Sequence, residues 1–129
     1  MQKLIIVDDS ELLRTRLKTI IASVSNINIV AEASNSIEGL QLIKQYKPDI
    51  LLLDIRMPGI NGLEILANVR KANKKMKVVI LTNYPNEQYK TSALKIGADY
   101  FLNKSTEFDQ IPTILTELIS PKFKKAVNL

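Results

Sequence analysis

The sequence contains no histidine, no cysteine and no tryptophan. Without histidine and cysteine, the chain cannot build a zinc finger, a haem-binding site or an iron–sulfur site. It also cannot carry out Ser-His-Asp or Cys-His catalysis. The lack of a disulfide is typical of a reducing compartment. These absences leave carboxylates, hydroxyls and amines as the groups on which any chemistry must depend.

Long apolar runs are also missing. The longest ones have the length of a strand, far below the roughly 18 residues that span a bilayer. The apolar run at the N-terminus is short and breaks at Asp8 and Asp9, unlike a signal peptide. We therefore predict a cytoplasmic protein that does not contact a membrane. With 129 residues, of which 46% are hydrophobic and 24% charged, the chain should form one compact domain.

The chain is basic, with 18 Lys and Arg against 13 Asp and Glu and a formal net charge of +5. Aromatic residues make up 5% of the sequence, which offers little for stacking on bases. The positive charges are dispersed apart from two groups, Lys71, Lys74, Lys75 and Lys77, and Lys122, Lys124 and Lys125. Lysine near a helix C-terminus suits the helix dipole. We favour a solvated helix end and tail over a phosphate-binding surface, and expect no direct contact with nucleic acid.

Short apolar runs alternate with segments of helical periodicity. The predicted strands are 4–7, 27–33, 49–53, 77–81 and 99–102. The predicted helices are 11–24, 36–46, 62–73, 86–96 and 106–119. Such alternation with short connections predicts an α/β fold, a doubly wound parallel sheet with five helices on both faces. For the helix starts, the sequence suggests Ser10 and Ser36 as N-caps and a capping box formed by Thr106 and Asp109.

Polar side chains follow four of the five predicted strands. Asp8 and Asp9 follow the first strand, Asp54 the third, Thr82 the fourth, and Lys104 lies just past the fifth. In a parallel sheet these groups converge on the carboxyl edge, where ligands bind in this class of fold. Three carboxylates in one place repel one another and call for a cation. Oxygen ligands without histidine or cysteine favour a hard ion. A site that offers only a small number of protein ligands favours Mg²⁺, because this ion keeps several of its water molecules.

A carboxylate beside Mg²⁺, a lysine and a hydroxyl is suited to phosphoryl transfer, with Asp54 as a possible nucleophile. Each residue also has a simpler explanation. The Asp8-Asp9-Ser10 segment could only cap a helix, and Asp54 could be a turn residue before a Pro-Gly loop. Thr82 and Lys104 alone carry no information. The combination at four strand ends is what favours a functional site.

Four segments resemble the receiver domain of two-component response regulators, the CheY-like superfamily. They are IIVDDSELLR (5–14), PDILLLDIRMPGINGLEIL (48–66), VVILTN (78–83) and GADYFLNKS (97–105). The resemblance implies the strand order 2-1-3-4-5, with residues 1–120 as the receiver domain. It leaves 121–129 as a basic tail or the start of a linker.

The resemblance also implies a role for each site residue. Asp54 resembles the phosphoacceptor, which takes its phosphoryl group from a sensor histidine kinase or a histidine phosphotransfer protein. Asp9, Asp54 and the backbone carbonyl of Arg56 resemble the Mg²⁺ ligands, and Asp8 acts on the metal through water. Lys104 resembles the lysine that contacts the phosphoryl oxygens. Thr82 and Phe101 resemble the switch pair, while strand alternation points Tyr100 to the opposite face.

The sequence departs from the family pattern in two places. Ser105 follows Lys104 where the family often has proline, and Asn83 and Tyr84 follow Thr82 where the family usually has a very small residue. Together with Arg56, Asn83 and Tyr84 would line the access to the phosphoryl group. We expect an unusual acyl-phosphate lifetime, in a direction that the sequence does not give.

Three functions are compatible with these residues. The first is a phosphorylation-controlled switch that catalyses only its own phosphorylation and dephosphorylation and is read by an unknown output partner. The second is a phosphatase of the haloacid dehalogenase type, which would want a second acid where Arg56 stands. The third is the truncated receiver half of a helix-turn-helix transcriptional regulator. A monomer and a weak dimer are both compatible with the sequence.

Overall fold

The computed structural model describes residues 1–57, 59–83 and 86–120. The strands are β1 (Gln2–Val7), β2 (Ile27–Ala33), β3 (Ile50–Asp54), β4 (Lys77–Thr82) and β5 (Tyr100–Asn103). The helices are α1 (Glu11–Ile21), α2 (Ser36–Tyr46), α3 (Gly62–Ala72), α4 (Glu87–Ile96) and α5 (Ile111–Ile119). The predicted tail and the predicted departure at Tyr84 lie outside the described residues.

The strands form one parallel sheet in the order β2-β1-β3-β4-β5. This confirms the predicted doubly wound α/β fold, with its winding reversal between β1 and β3. The central strand β3 is buried at all five positions. Burial on both faces explains why its sequence is continuously apolar rather than alternating.

Side-chain alternation divides the core into two layers. In β1, Ile5 and Val7 pack with the layer formed by α2, α3 and α4, and Leu4 and Ile6 pack with the layer formed by α1 and α5. The same alternation runs along β3. The helices are thus distributed over both faces, and every strand delivers its last residue to one common edge.

Two of the predicted helix caps are wrong, although α2 begins at residue 36 as predicted. Asn35, not Ser36, caps α2, because its side chain accepts a hydrogen bond from the N–H of Glu38 at 2.9 Å. The predicted capping box of Thr106 and Asp109 does not form. A 3-10 turn over Phe108–Gln110 precedes α5, which has no side-chain cap and carries a proline in its first turn.

The N-terminus of α1 agrees with its prediction, since the Ser10 side chain accepts from the N–H of Leu13 at 3.2 Å. The end of α1 does not, because the helix stops at Ile21 and residues 22–24 form a turn. Asn26 follows with a φ of 67°, a left-handed conformation that asparagine tolerates better than most residues. Among the helices that the structure describes, none has both the length and the apolar character needed to cross a bilayer.

Candidate functional site

The polar residues predicted from the strand ends lie together at the carboxyl edge of the sheet. Asp8 directly follows β1, Asp54 ends β3, Thr82 ends β4 and Lys104 directly follows β5. The backbone N–H of Lys104 donates to the carbonyl of Thr82 at 2.9 Å, which fixes the start of the β5–α5 connection beside β4. No described peptide bond is cis, so the Lys104–Ser105 bond is trans.

Lys104 joins two buried aspartates. Its Nζ lies 2.6 Å from Oδ2 of Asp8 and 3.2 Å from Oδ2 of Asp54. The side chain of Lys104 is 8% exposed, and those of Asp8 and Asp54 are 2% and 6% exposed. One ammonium therefore faces two carboxylates away from bulk water, and this group keeps an excess of negative charge.

The third carboxylate belongs to Asp9, which is exposed. Asp8, Asp9 and Asp54 each offer an oxygen atom, and these three atoms all lie within 4.8 Å of one another. That spacing allows them to share one ion. Because all three donors are hard carboxylate oxygens, the set fits Mg²⁺ or another hard cation.

Burial changes the acidity of Asp54. The loss of hydration raises its pKa to about 6, against the opposing effect of Lys104, and the nearby Asp8 raises it further. The backbone N–H of Arg56 donates to Oδ1 of Asp54 at 3.3 Å, which also favours the ionised form. A positive charge brought to this site would return the pKa of Asp54 toward its ordinary range.

Asp8 is held by its neighbours on three sides. Its Oδ1 accepts from the N–H of Ser10 at 2.9 Å, and its own N–H donates to Ala33 at 3.0 Å. Arg14 donates from Nη1 to the Asp8 carbonyl at 2.7 Å, and its Nε contacts Glu32. Arg14 was not among the residues predicted for the site. The sequence signal that could have identified Arg14 is its position in α1, directly after the inward-facing Leu13.

Thr82 and Phe101 occupy positions compatible with a coupled pair. Thr82 is fully buried at the end of β4, and Phe101 lies half-buried on the neighbouring strand. Phe101 packs with the α2, α3 and α4 layer, whereas Tyr100 packs with the α1 and α5 layer. The prediction that these two aromatic residues face opposite ways is confirmed.

The fold and site together define a doubly wound α/β domain with a carboxylate-rich edge, where three oxygens lie close enough to share a cation. A family model described as the response regulator receiver domain matches residues 4–116. The chain therefore belongs to the response regulator receiver family of two-component systems, as the resemblance implied.

Curated relatives agree with this assignment. The nitrate/nitrite response regulator protein NarL of Escherichia coli is 38% identical over 104 residues, which are 81% of this chain and 48% of that protein. The chain thus spans about half the length of this relative. The chemotaxis protein CheY of Listeria monocytogenes is 37% identical over 111 residues, 86% of this chain and 92% of that protein.

A solved structure shares the same fold. The DNA-binding response regulator of the LuxR family from Staphylococcus aureus is similar with a TM-score of 0.84 and 30% identity. The match covers 92% of this chain and 98% of that one. The proteins similar to this chain thus include one named as a DNA-binding response regulator and one named as a chemotaxis protein.

Proposed function

We propose that Asp54 accepts a phosphoryl group from a phosphohistidine of a sensor kinase or a histidine phosphotransfer protein. A carboxylate oxygen of Asp54 attacks phosphorus, the P–N bond breaks, and the imidazole leaves with the bonding electron pair. The observation that carries this proposal is the contact of one buried lysine, Lys104, with both Asp8 and Asp54. With a pKa of about 6, Asp54 is mostly ionised at neutral pH and available as a nucleophile.

We propose that Asp9, Asp54 and the backbone carbonyl of Arg56 hold Mg²⁺ directly, with Asp8 acting through water. The three clustered carboxylate oxygens support this set. When bound, the cation supplies positive charge for the oxygens of the transferring phosphoryl group. Asp8 also orients Lys104 through their 2.6 Å contact. The exposed position of Asp9 leaves the site open to solvent and to a phosphodonor.

Lys104 and Thr82 would act on the product. The ammonium of Lys104 already lies 3.2 Å from Oδ2 of Asp54, so it can pair with a phosphoryl oxygen once Asp54 is modified. The Thr82 hydroxyl would donate to another phosphoryl oxygen. A movement of Thr82 toward Asp54 would open space that Phe101 can fill, which converts a local charge change into a change of surface.

The domain would be a switch rather than a turnover enzyme. It would catalyse only its own phosphorylation and dephosphorylation, with residues 1–120 as the receiver and 121–129 as a basic tail or linker. The exposed Arg56 occupies the place where a haloacid dehalogenase phosphatase would want its second acid. We expect no phosphate release from phosphomonoesters. The proposed setting is the cytoplasm, where a sensor kinase presents its phosphohistidine.

The names of the relatives suggest what the domain regulates. A LuxR-family relative is named as DNA-binding, which makes gene regulation a second candidate beside regulation of a protein partner. If the output is gene regulation, contact with DNA would belong to a separate output domain, since direct contact by residues 1–120 is not expected. A measurement of whether phosphorylation converts a monomer into a dimer would be relevant to both candidate outputs.

The test is labelling with a small phosphodonor in the presence of Mg²⁺. Intact-mass analysis of the wild type should show one added phosphoryl group, and Asp54→Ala should show none. Asp109→Ala removes an exposed aspartate of the 3-10 turn and serves as the matched control, which should label like the wild type. Continued labelling of Asp54→Ala would contradict the proposal. Chelation of Mg²⁺ should suppress labelling of the wild type.

A further inference from the structure

The start of α2 contacts the loop that follows Asp54. Ser36 is fully buried. Its Oγ accepts a hydrogen bond from the backbone N–H of Ile60 at 2.7 Å, although the two residues are 24 positions apart. The capping of α2 does not use this hydroxyl, since Asn35 is the N-cap. The hydroxyl of Ser36 therefore makes a tertiary contact with the β3–α3 loop.

The neighbouring Gly59 approaches the same hydroxyl. A Cβ atom added at Gly59 would lie 2.5 Å from Oγ of Ser36, closer than packed side chains allow. The φ of Gly59 is +95°, a conformation that favours glycine. Two successive residues of the loop, Gly59 and Ile60, thus rest directly on Ser36.

The C-terminal end of this loop contacts β3, the strand that ends with Asp54. The N–H of Gly62 donates to the carbonyl of Ile55 at 2.8 Å. A Cβ atom at Gly62 would lie 2.6 Å from the Asp54 carbonyl oxygen, so the start of α3 touches the end of β3. The N–H of Arg56 contacts Asp54 as well. A shift of the loop is therefore transmitted to Asp54 and to the backbone of Arg56.

We propose that Ser36 is a positioning residue for the cation and phosphoryl site. Its hydroxyl holds the β3–α3 loop in the arrangement that presents Asp54 and the Arg56 backbone to Mg²⁺. This inference rests on the function proposed above. If the loop leaves this arrangement for part of the time, the apparent affinity for a cation falls in proportion to the competent fraction.

The test measures Mg²⁺ binding to the unphosphorylated full chain by titration calorimetry. Ser36→Ala removes the acceptor for Ile60 while keeping the volume of the site small. A typical hydrogen bond stabilises its arrangement enough that we expect Mg²⁺ to bind about two- to tenfold more weakly. Hydrogen exchange at the Ile60 amide should become faster in the same variant.

The matched control is Asn35→Ala. It removes the cap of α2 one residue away and should lower the melting temperature, yet it leaves the Ser36–Ile60 contact in place. We expect its Mg²⁺ affinity to equal that of the wild type. Equal losses of affinity in Asn35→Ala and Ser36→Ala would attribute the effect to destabilisation of α2 and would overturn the inference.

A second variant approaches the contact from the loop. Gly59→Ala introduces the Cβ atom that collides with Oγ of Ser36 and should also weaken Mg²⁺ binding. Because both changes act on one contact, the double variant should lose less affinity than the product of the two single losses. Wild-type Mg²⁺ affinity in Ser36→Ala, despite faster exchange at Ile60, refutes the role. A wild type that neither binds Mg²⁺ nor becomes labelled instead refutes the proposed function, and this inference with it.

Discussion

The sheet carries a buried charged cluster at each of its two ends, and the two are built differently. The carboxyl-end cluster is the one formed by Asp8, Asp54 and Lys104. The amino-end cluster consists of Arg70 and Asp99, whose Nη2 and Oδ2 atoms lie 3.1 Å apart. Both are shielded from water. One contains two carboxylates for one cation, and the other contains one of each.

The amino-end cluster is balanced in charge, and its two members make several further hydrogen bonds. Arg70 donates from Nε to the carbonyl of Gly97 at 2.9 Å and from Nη1 to that of Asn73 at 3.1 Å. Asp99 accepts the N–H of Val78 at 2.8 Å. Burial lowers the pKa of Arg70, and the charge and hydrogen bond of Asp99 oppose this shift. The cluster ties the ends of α3 and α4 to the start of β4.

The carboxyl-end cluster lacks this balance, and the pKa of Asp54 records the difference. Burial and the charge of Asp8 raise it to about 6 despite the presence of Lys104. An excess of buried negative charge lowers the free energy of unfolding. It also increases the affinity of the folded protein for a cation that neutralises this charge. We therefore expect the balanced cluster to be sensitive to the loss of either partner and the unbalanced cluster to favour a bound cation.

The largest effect should come from breaking the balanced cluster. Arg70→Ala leaves the buried carboxylate of Asp99 without its guanidinium, and loss of one member of such a pair typically costs about 3–5 kcal/mol of unfolding free energy. Urea denaturation measures this loss. Arg16→Ala is the control, because Arg16 is exposed and, among the described residues, its contact is stacking over the ring of Phe108 at 4.5 Å. A loss no larger than that of the control would contradict the structural role of Arg70.

At the carboxyl-end cluster, a substitution is expected to raise the free energy of unfolding rather than lower it. Asp54→Asn keeps the shape of the side chain and removes its charge, so the variant should be more stable than the wild type without Mg²⁺. From the shift of pKa, the gain at neutral pH should be about 1–3 kcal/mol. Urea denaturation in the presence of a chelator measures it. Destabilisation by Asp54→Asn would show that the cluster is not electrostatically strained.

The pH dependence sharpens that prediction. Because the pKa of folded Asp54 is about 6 and its ordinary value is 3.8, the protonated form favours folding. The associated stability is fully present below the ordinary value and is lost as the pH rises through about 6. The advantage of Asp54→Asn should therefore shrink as the pH falls through this window. Saturating Mg²⁺ should reduce the advantage at neutral pH.

Most of the fold and the members of the site were readable from the sequence. Strand alternation and apolar runs are local properties, so β3 and the residues that follow each strand could be identified directly. The convergence of Asp8, Asp54 and Lys104 followed from parallel topology alone, because parallel strands end at one edge. The identity of the family rested on the same residues.

What the sequence did not reveal depends on contacts between distant segments. Ser36 looks like a helix cap in sequence, and only the packing of α2 against the β3–α3 loop shows that its hydroxyl contacts Ile60. Arg70 looks like a basic residue in the last turn of a helix, a place where lysine and arginine are common. Its partner Asp99 is 29 positions away and belongs to another element.

The smallest effect is expected for a third charged cluster, which is partly exposed. Glu32 contacts Nε of Arg14 at 2.9 Å and Nζ of Lys18 at 2.7 Å. Hydrogen bonds from Lys18 and then Arg14 lower its pKa, so its contribution to stability is present above the ordinary value and is lost as the pH falls through the lowered value. Since solvent screens the group, Glu32→Gln should cost below about 1 kcal/mol, and less at high salt. A double-mutant cycle with Lys18→Gln, measured by urea denaturation, isolates the pair. A cost as large as that of Arg70→Ala would show that burial is not what separates the large effect at Arg70 from the small effect at Glu32.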